Sequence, residues 1–234
     1  MHQQLFAQLT LGLSLKDEAT FDNFYFGKNE EIVTELKKLI KKQGERIVYL
    51  YGHRGQGCSH LLQACCHYAY QHQYSSVYLP LANLLSLSPE ILNGLESLAL
   101  ICLDDLDAVV HHAEWEEAVF HLFNRTYDAG GSIVLTAHTL PKSIHLNLAD
   151  LESRLSWGIV YQLQSLTDAE KLSALIMRAN RRGIGLTEEV GKYILRHCPR
   201  HMNTLFAALE VLDKASLAAQ RRLTVPFIKE VLQI

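Results

Sequence analysis

No two of the five cysteines (Cys58, Cys65, Cys66, Cys102 and Cys198) stand at C-x-x-C spacing, and their number is odd. Both facts argue against a disulfide framework and against a thiolate zinc site. Nor does the 234-residue chain carry an excess of one charge: 22 Lys and Arg meet 25 Asp and Glu, for a formal net charge of −3. There is no basic field of the kind that holds nucleic acid without regard to sequence. No apolar run approaches the roughly 20 residues that cross a bilayer. The Leu-rich stretch from Leu5 to Leu15 has no Lys or Arg before it and no small-residue cleavage site, so it does not read as a secretory signal. With 48% hydrophobic residues, the composition is that of an ordinary globular protein rather than a disordered one. The expectation is a protein of a reducing compartment, cytoplasmic and without membrane association. At about 150 residues per domain, it forms one large domain or one domain with a small companion.

Hydrophobic periodicity divides the chain. Leu9, Leu11, Leu13 and Leu15 alternate with Thr10, Gly12 and Ser14, the period of an extended segment with one apolar face. A helix is predicted over 30–42, where Ile32, Leu36, Leu39 and Ile40 share a face and Gly44 follows as a stop. Short β-rich runs occupy 46–51, 76–81, 98–103, 132–136 and 159–163, with helical patterns at 59–73 and 114–128. Five short, mostly apolar strands alternating with helices predict a parallel sheet covered on both faces. After Leu163 the strands stop. Thr167-Asp168-Ala169-Glu170 is a capping box for a helix to about Arg182, with Leu172, Leu175 and Ile176 on its core face. Further helices are predicted over 187–197, over 202–220 and from Thr224 onward. The expected organisation is an extended tail over 1–22, an αβα base over 23–163 and an all-helical unit over 164–234.

The first strand runs into Gly52-His53-Arg54-Gly55-Gln56-Gly57-Cys58-Ser59 and then a helix, the spacing of the phosphate-binding G-x-x-x-x-G-K-[ST] motif. Glycines let backbone N–H groups converge on phosphate oxygens, and the helix N-terminus adds positive potential. Ser59 stands where a Mg²⁺-binding hydroxyl belongs, but cysteine replaces the lysine at position 58. Backbone donors can hold a diphosphate without that lysine, whereas a γ-phosphate with developing charge is left without its cation. Arg54, within the loop, compensates in part. Leu100-Ile101-Cys102-Leu103 ends in Asp104 and Asp105, acids that in phosphate-loop proteins hold Mg²⁺ and orient the attacking water. The 12 histidines do not suggest a metal: His111-His112 and His197 with His201 lack a helical two-ligand spacing with a partner acid. Cys65-Cys66 reads as packing. The clusters Arg178, Arg181, Arg182 and Arg221, Arg222 read as solvated faces, with a protein or DNA contact left open.

These pieces resemble a known family. Thr20-Phe21-Asp22-Asn23-Phe24-Tyr25-Phe26-Gly27-Lys28-Asn29 is similar to the opening of the AAA+ domain of the DnaA replication initiator. The likeness continues through the glycine-rich loop with His60-Leu61-Leu62-Gln63-Ala64, through Leu135-Thr136-Ala137-His138 with Pro141-Lys142, and through Leu151-Glu152-Ser153-Arg154-Leu155-Ser156-Trp157-Gly158. It covers about residues 20–234. Within the family the chain looks most like its regulatory members, because it stops where the initiator would begin its DNA-binding helices. Its Gln8-Leu9-Thr10-Leu11-Gly12-Leu13 is also similar to the peptide that docks on the DNA polymerase sliding clamp.

The resemblance implies an AAA+ P-loop NTPase fold, with a five-stranded parallel base and a helical lid. It implies a bacterial negative regulator that, with the clamp on DNA, stimulates hydrolysis of DnaA-bound ATP and so prevents re-initiation. Arg154 matches the arginine finger that would enter a neighbouring subunit's site; a surface pairing with Glu152 or Asp150 is its plain alternative. Asp104 and Asp105 match the Walker B acids, and Asn23, Phe24 and Tyr25 lie in the segment that would line the base. Gly52, His53, Arg54, Gly55, Gln56, Gly57, Cys58, Ser59 and His60 would cradle phosphate. His138 replaces the sensor-1 acid, and Asn203, or else Arg200, falls at sensor 2.

Those replacements and Cys58 all weaken γ-phosphate handling in cis. The implied cofactor is therefore ADP, held with little or no intrinsic turnover, with Mg²⁺ on Ser59 and Asp104 if it is present. The implied partners are DnaA and, through Gln8, Leu9, Leu11 and Leu13, the clamp's β subunit. DNA, and with it the nucleoid, is reached through the clamp, and self-association as a homodimer or under nucleotide control stays open. Rival readings are a self-sufficient AAA+ ATPase such as a helicase loader, a DNA-binding initiator paralogue, and, for the tail, an edge strand packed on its own domain.

Overall fold

A computed structural model describes residues 15–16 and 18–234; the tail positions Gln8, Leu9, Leu11 and Leu13 lie outside the described residues. Strands β1 (Ile47–Tyr51), β2 (Ser76–Pro80), β3 (Leu100–Asp104), β4 (Ser132–Ala137) and β5 (Ile159–Gln162) form one sheet in the order β2-β3-β4-β1-β5. Every pairing is parallel. β1 lies between β4 and β5, so the chain changes direction across the sheet beside β1. In such sheets the crevice outside the carboxyl ends of the strands, at that switch point, is where ligands bind.

Alternate side chains of β1 serve opposite layers, as the strand period demands. Val48 and Leu50 pack with α1 (Glu30–Ile40) and α2 (Cys58–Gln71), through Leu36, Leu39, Leu61, Leu62 and Cys65. Ile47 and Tyr49 pack on the other face with α3 (Leu81–Leu84), α4 (Ala113–Asp128) and α5 (Ala149–Leu155), through Leu122, Phe123, Leu151 and Leu155. Both faces are covered, which is why the strands read as nearly continuous apolar runs.

The C-terminal helices α6 (Asp168–Arg181), α7 (Glu188–His197), α8 (Met202–Ala219) and α9 (Val225–Leu232) enclose a separate core of Leu175, Ala179, Ile194, Leu205, Leu209, Phe227 and Ile228. Thr167 and Glu170 form the expected reciprocal capping box at the start of α6. α3 stands where the sequence predicts no helix, and two further elements differ from expectation. β3 extends to Asp104 instead of ending at Leu103, and α5 was not foreseen. Its seven residues present one apolar pair, Leu151 and Leu155, too few to establish a 3.6-residue period. Among the described residues, no helix is long and apolar enough to cross a membrane.

Candidate functional site

The glycine-rich loop leaves β1 at Gly52 and enters α2 at Gly57. A Cβ at Gly52 would lie 2.3 Å from Gln56 Oε1, and one at Gly57 would lie 2.8 Å from the Phe24 ring. Gly57 also adopts φ +108°, a left-handed region in which side chains are strained. No side chain caps α2 and no acid occupies its first turn, so its leading N–H groups are not satisfied by capping. The loop is braced from within: the His53 N–H donates to Gln56 Oε1 at 2.6 Å, and the Gln56 amide donates to Ser165 Oγ.

Cys58 heads α2 and faces the cleft. Burial, followed by the Asp104 and Asp105 carboxylates, pushes its thiol up to about 12, so the position carries no charge at neutral pH. His60 Nε2–H donates to the Thr20 carbonyl, 2.8 Å away, and the ring packs 5.5 Å from the Phe24 ring. Burial lowers its pKa, which favours the neutral imidazole.

The two acids after β3 have different fates. Asp104 is 2% exposed. Its Oδ1 accepts a bond from Thr136 Oγ1 at 2.5 Å and its Oδ2 accepts from the Tyr78 hydroxyl at 2.6 Å. It is an internal anchor and does not line the cleft, which corrects its expected place as a direct metal ligand. Asp105 does line the cleft. Its backbone is left-handed, its N–H donates to Thr136 Oγ1 at 3.0 Å, and its carboxyl is held above the usual carboxylate range by burial and then by Asp104. His138, at the end of β4, is fixed by Asp107, whose Oδ2 meets the His138 N–H at 2.7 Å and Nδ1 at 2.9 Å.

A cleft of about 790 Å³ unites these parts with the lid. His53, Arg54, Gly55, Gly57, Cys58, Ser59, His60, Asp105, His138 and Asn203 line it. Asn203 rather than Arg200 reaches it; Arg200 pairs with Asp168 at 2.8 Å instead. Gly52, Gln56 and Phe24 support the loop and, like Tyr25, are not lining residues. Asn23 is turned to the lid, where its Oδ1 accepts from Arg181 at 2.8 Å.

The sequence reading missed Lys16, Glu18, Gln63, Arg178 and Glu210, which also line the cleft. It also took Arg178 and Arg182 for solvated residues. Their side chains are 12% and 22% exposed and both grip Glu18. The signal was hidden because the partners are 160 and 164 residues apart in sequence. No cluster of three or more His, Cys, Asp or Glu side chains suited to a metal occurs among the described residues.

Arg154 lies away from this cleft, on α5. It pairs with neither Glu152 nor Asp150. Its Nε donates to Asn124 Oδ1 at 2.8 Å, and its guanidinium lies 3.8 Å from the centre of the Trp157 ring and 5.9 Å from that of Phe120.

A five-stranded parallel sheet in this order, a glycine-rich loop between β1 and α2, and a helical lid across the strand ends define an AAA+ P-loop NTPase fold. The chain belongs to the bacterial DnaA ATPase-domain family, whose model matches residues 15–162; the model of the Hda lid domain matches residues 168–232. The fold is similar to that of domain III of the Thermotoga maritima replication initiation protein DnaA, at 21% identity, 94% of this chain, 98% of that chain and a TM-score of 0.83. AMPPCP-bound DnaA from Aquifex aeolicus is similar over 86% of this chain and 67% of that one, at 22% identity and a TM-score of 0.74. The Thermotoga maritima RuvB Holliday junction branch migration motor shares the fold more distantly, at 13% identity over 87% of this chain and 68% of that chain, with a TM-score of 0.64.

Proposed function

We propose that this chain is a DnaA-directed regulator: it holds a nucleoside diphosphate and supplies Arg154 in trans to the ATP site of DnaA. The observation that carries the reading is the setting of Arg154. Its guanidinium is oriented by a neutral amide and an aromatic face, with no carboxylate paired to it among the described residues. A cation held that way keeps its charge for a partner. At the transferring phosphoryl group of another subunit, such an arginine is worth on the order of 10³–10⁵ in rate.

The residues of the cleft fit a bound nucleotide. The uncapped N-terminus of α2, the left-handed glycines and the nearby Arg54 and Lys16 suit an anionic diphosphate, and the volume suits a ligand of that size. The neutral Cys58 and Asn203 give no cation for a third phosphate. Ser59 and Asp105 are the oxygen donors left for Mg²⁺, which would keep several of its waters, with Asp104 acting through Thr136. Gln8, Leu9, Leu11 and Leu13 would seat the protein on the sliding clamp by extended-peptide docking, reaching DNA through it. DnaA supplies the triphosphate and the attacking water; this chain supplies the charge.

The test combines the purified chain, clamp-loaded DNA and DnaA carrying labelled ATP, and follows the nucleotide on DnaA. The parent should accelerate conversion to ADP, and Arg154→Ala should lose most of that acceleration while folding normally. Equal rates for the two would overturn the proposal. Phosphate release near 1 s⁻¹ by the chain alone, an ordinary enzyme rate, would favour a self-sufficient ATPase.

A further inference from the structure

Residues 15–16 and 18–23 follow an alternating course over the cleft. The Lys16 N–H donates to Gln63 Oε1 at 2.9 Å, the Lys16 carbonyl meets His67 Nε2 at 3.1 Å, and the Thr20 carbonyl meets His60 Nε2 at 2.8 Å. These three partners share α2, in the base. Between them Glu18 turns the other way: one carboxylate oxygen takes Arg178 Nη2, on lid helix α6, and the other takes Arg182 Nη2, at that helix's C-cap. Asn23 repeats the pattern, donating to the Glu18 carbonyl at 2.8 Å and accepting from Arg181 at 2.8 Å. The chain at 163–167 also joins the lid to the base. The contact also has backing from the lid side, because Glu210 on α8 stands 3.9 Å from Arg178 and 3.3 Å from Arg182, and Asp213 stands 3.5 Å from Arg182.

We propose that Glu18 is a positioning residue that straps the lid to the base across the nucleotide cleft and sets how long a bound nucleotide stays. The inference rests on the cleft being a nucleotide site. Charge-assisted bonds at largely shielded arginines are among the stronger polar contacts, unlike exposed pairs that salt and side-chain entropy nearly cancel. Glu18, Arg178 and Glu210 all line the cleft, so a ligand leaving by that side must part the strap. Removing the Glu18 charge leaves those two arginines answered by Glu210 and Asp213, within the lid, and the strap keeps only the neutral Asn23–Arg181 bond.

The test uses the full chain with a fluorescent N-methylanthraniloyl ADP, chased by excess ADP, at low and at moderate salt. Glu18→Gln should release the analogue roughly tenfold faster than the parent, about 1.4 kcal/mol, and should lose the salt sensitivity shown by the parent. Glu18→Asp should fall between them. Release from Glu18→Gln as slow as from the parent overturns the strap. A second readout needs no ligand: in Glu18→Gln, amide exchange should quicken together over residues 15–23 and over α6, and unchanged protection of both also overturns it. If the parent binds no analogue, the nucleotide reading fails, and amide exchange alone decides the strap.

Discussion

The Arg154 guanidinium carbon lies over the Trp157 ring, 3.8 Å from its centre, and Trp157 is 48% exposed. The tryptophan in turn meets Tyr127 and Phe123 edge-on, at 5.5 Å and 6.3 Å. A planar cation over a supported ring, with its Nε committed to Asn124, is restricted in orientation. A flexible ammonium has no such plane to stack. Arg154→Lys should therefore lose stimulation of DnaA-bound ATP hydrolysis nearly as fully as Arg154→Ala, and Trp157→Ala should lose about tenfold. Nucleotide conversion on DnaA reads both, and a fully active lysine form would show that charge without orientation suffices.

Asp104 and Asp105 should separate cleanly in thermal unfolding. Asp104→Ala strands the Tyr78 and Thr136 hydroxyls in the interior, at about 1–3 kcal/mol each. For a chain of this size that lowers Tm by on the order of 10 °C. A drop under 2–3 °C would mean that those two bonds contribute little.

The pH dependence at Asp105 has a definite sign. Burial, then Asp104, raises the carboxyl above 3.8 in the folded chain. The unfolded chain loses this proton at lower pH, so the folded state is progressively penalised as pH rises through the interval between the two values. Asp105→Asn removes the penalty and keeps a residue type at ease with φ 55°. Its Tm should exceed that of the parent at neutral pH, with the gain shrinking as pH falls toward the ordinary aspartate value. A gain that grows in acid would reverse the assignment.

Cys58 should be a slow thiol. With its thiol pushed up to about 12, little thiolate exists at pH 8, and thiolate is the reactive form. Iodoacetamide labelling followed by peptide mass spectrometry should find Cys58 alkylated far more slowly than an ordinary free cysteine. Cys58→Lys should improve binding of a triphosphate relative to a diphosphate by about tenfold, the effect of one cation near phosphate. Isothermal titration with both nucleotides decides this.

Much of the fold was legible in the chain. The five apolar runs, the Thr167–Glu170 box and the glycine-rich loop are local signals, each contained in a few neighbouring residues, and all appear where they were expected. What stayed hidden depends on residues distant in sequence. Asp104 and Asp105 are adjacent, yet one turns to Tyr78 and Thr136 and the other to the cleft, because Asp105 adopts a left-handed backbone that its residue type permits without announcing. Arg178 and Arg182 read as surface charge because Glu18 comes from the opposite end of the chain. The setting of Arg154 could not be read either, since Asn124 belongs to another helix and α5 was too short to declare itself.

Gln56 gives the loop one last property. Its carbonyl oxygen takes the His53 N–H while its amide reaches Ser165, in the stretch joining β5 to α6. One neutral side chain thus links the cradle to the segment that leads into the four C-terminal helices. A tilt of those helices pulls on the same turn that presents the N–H groups, so the grip on an anion and the angle of the cap above it are mechanically one variable.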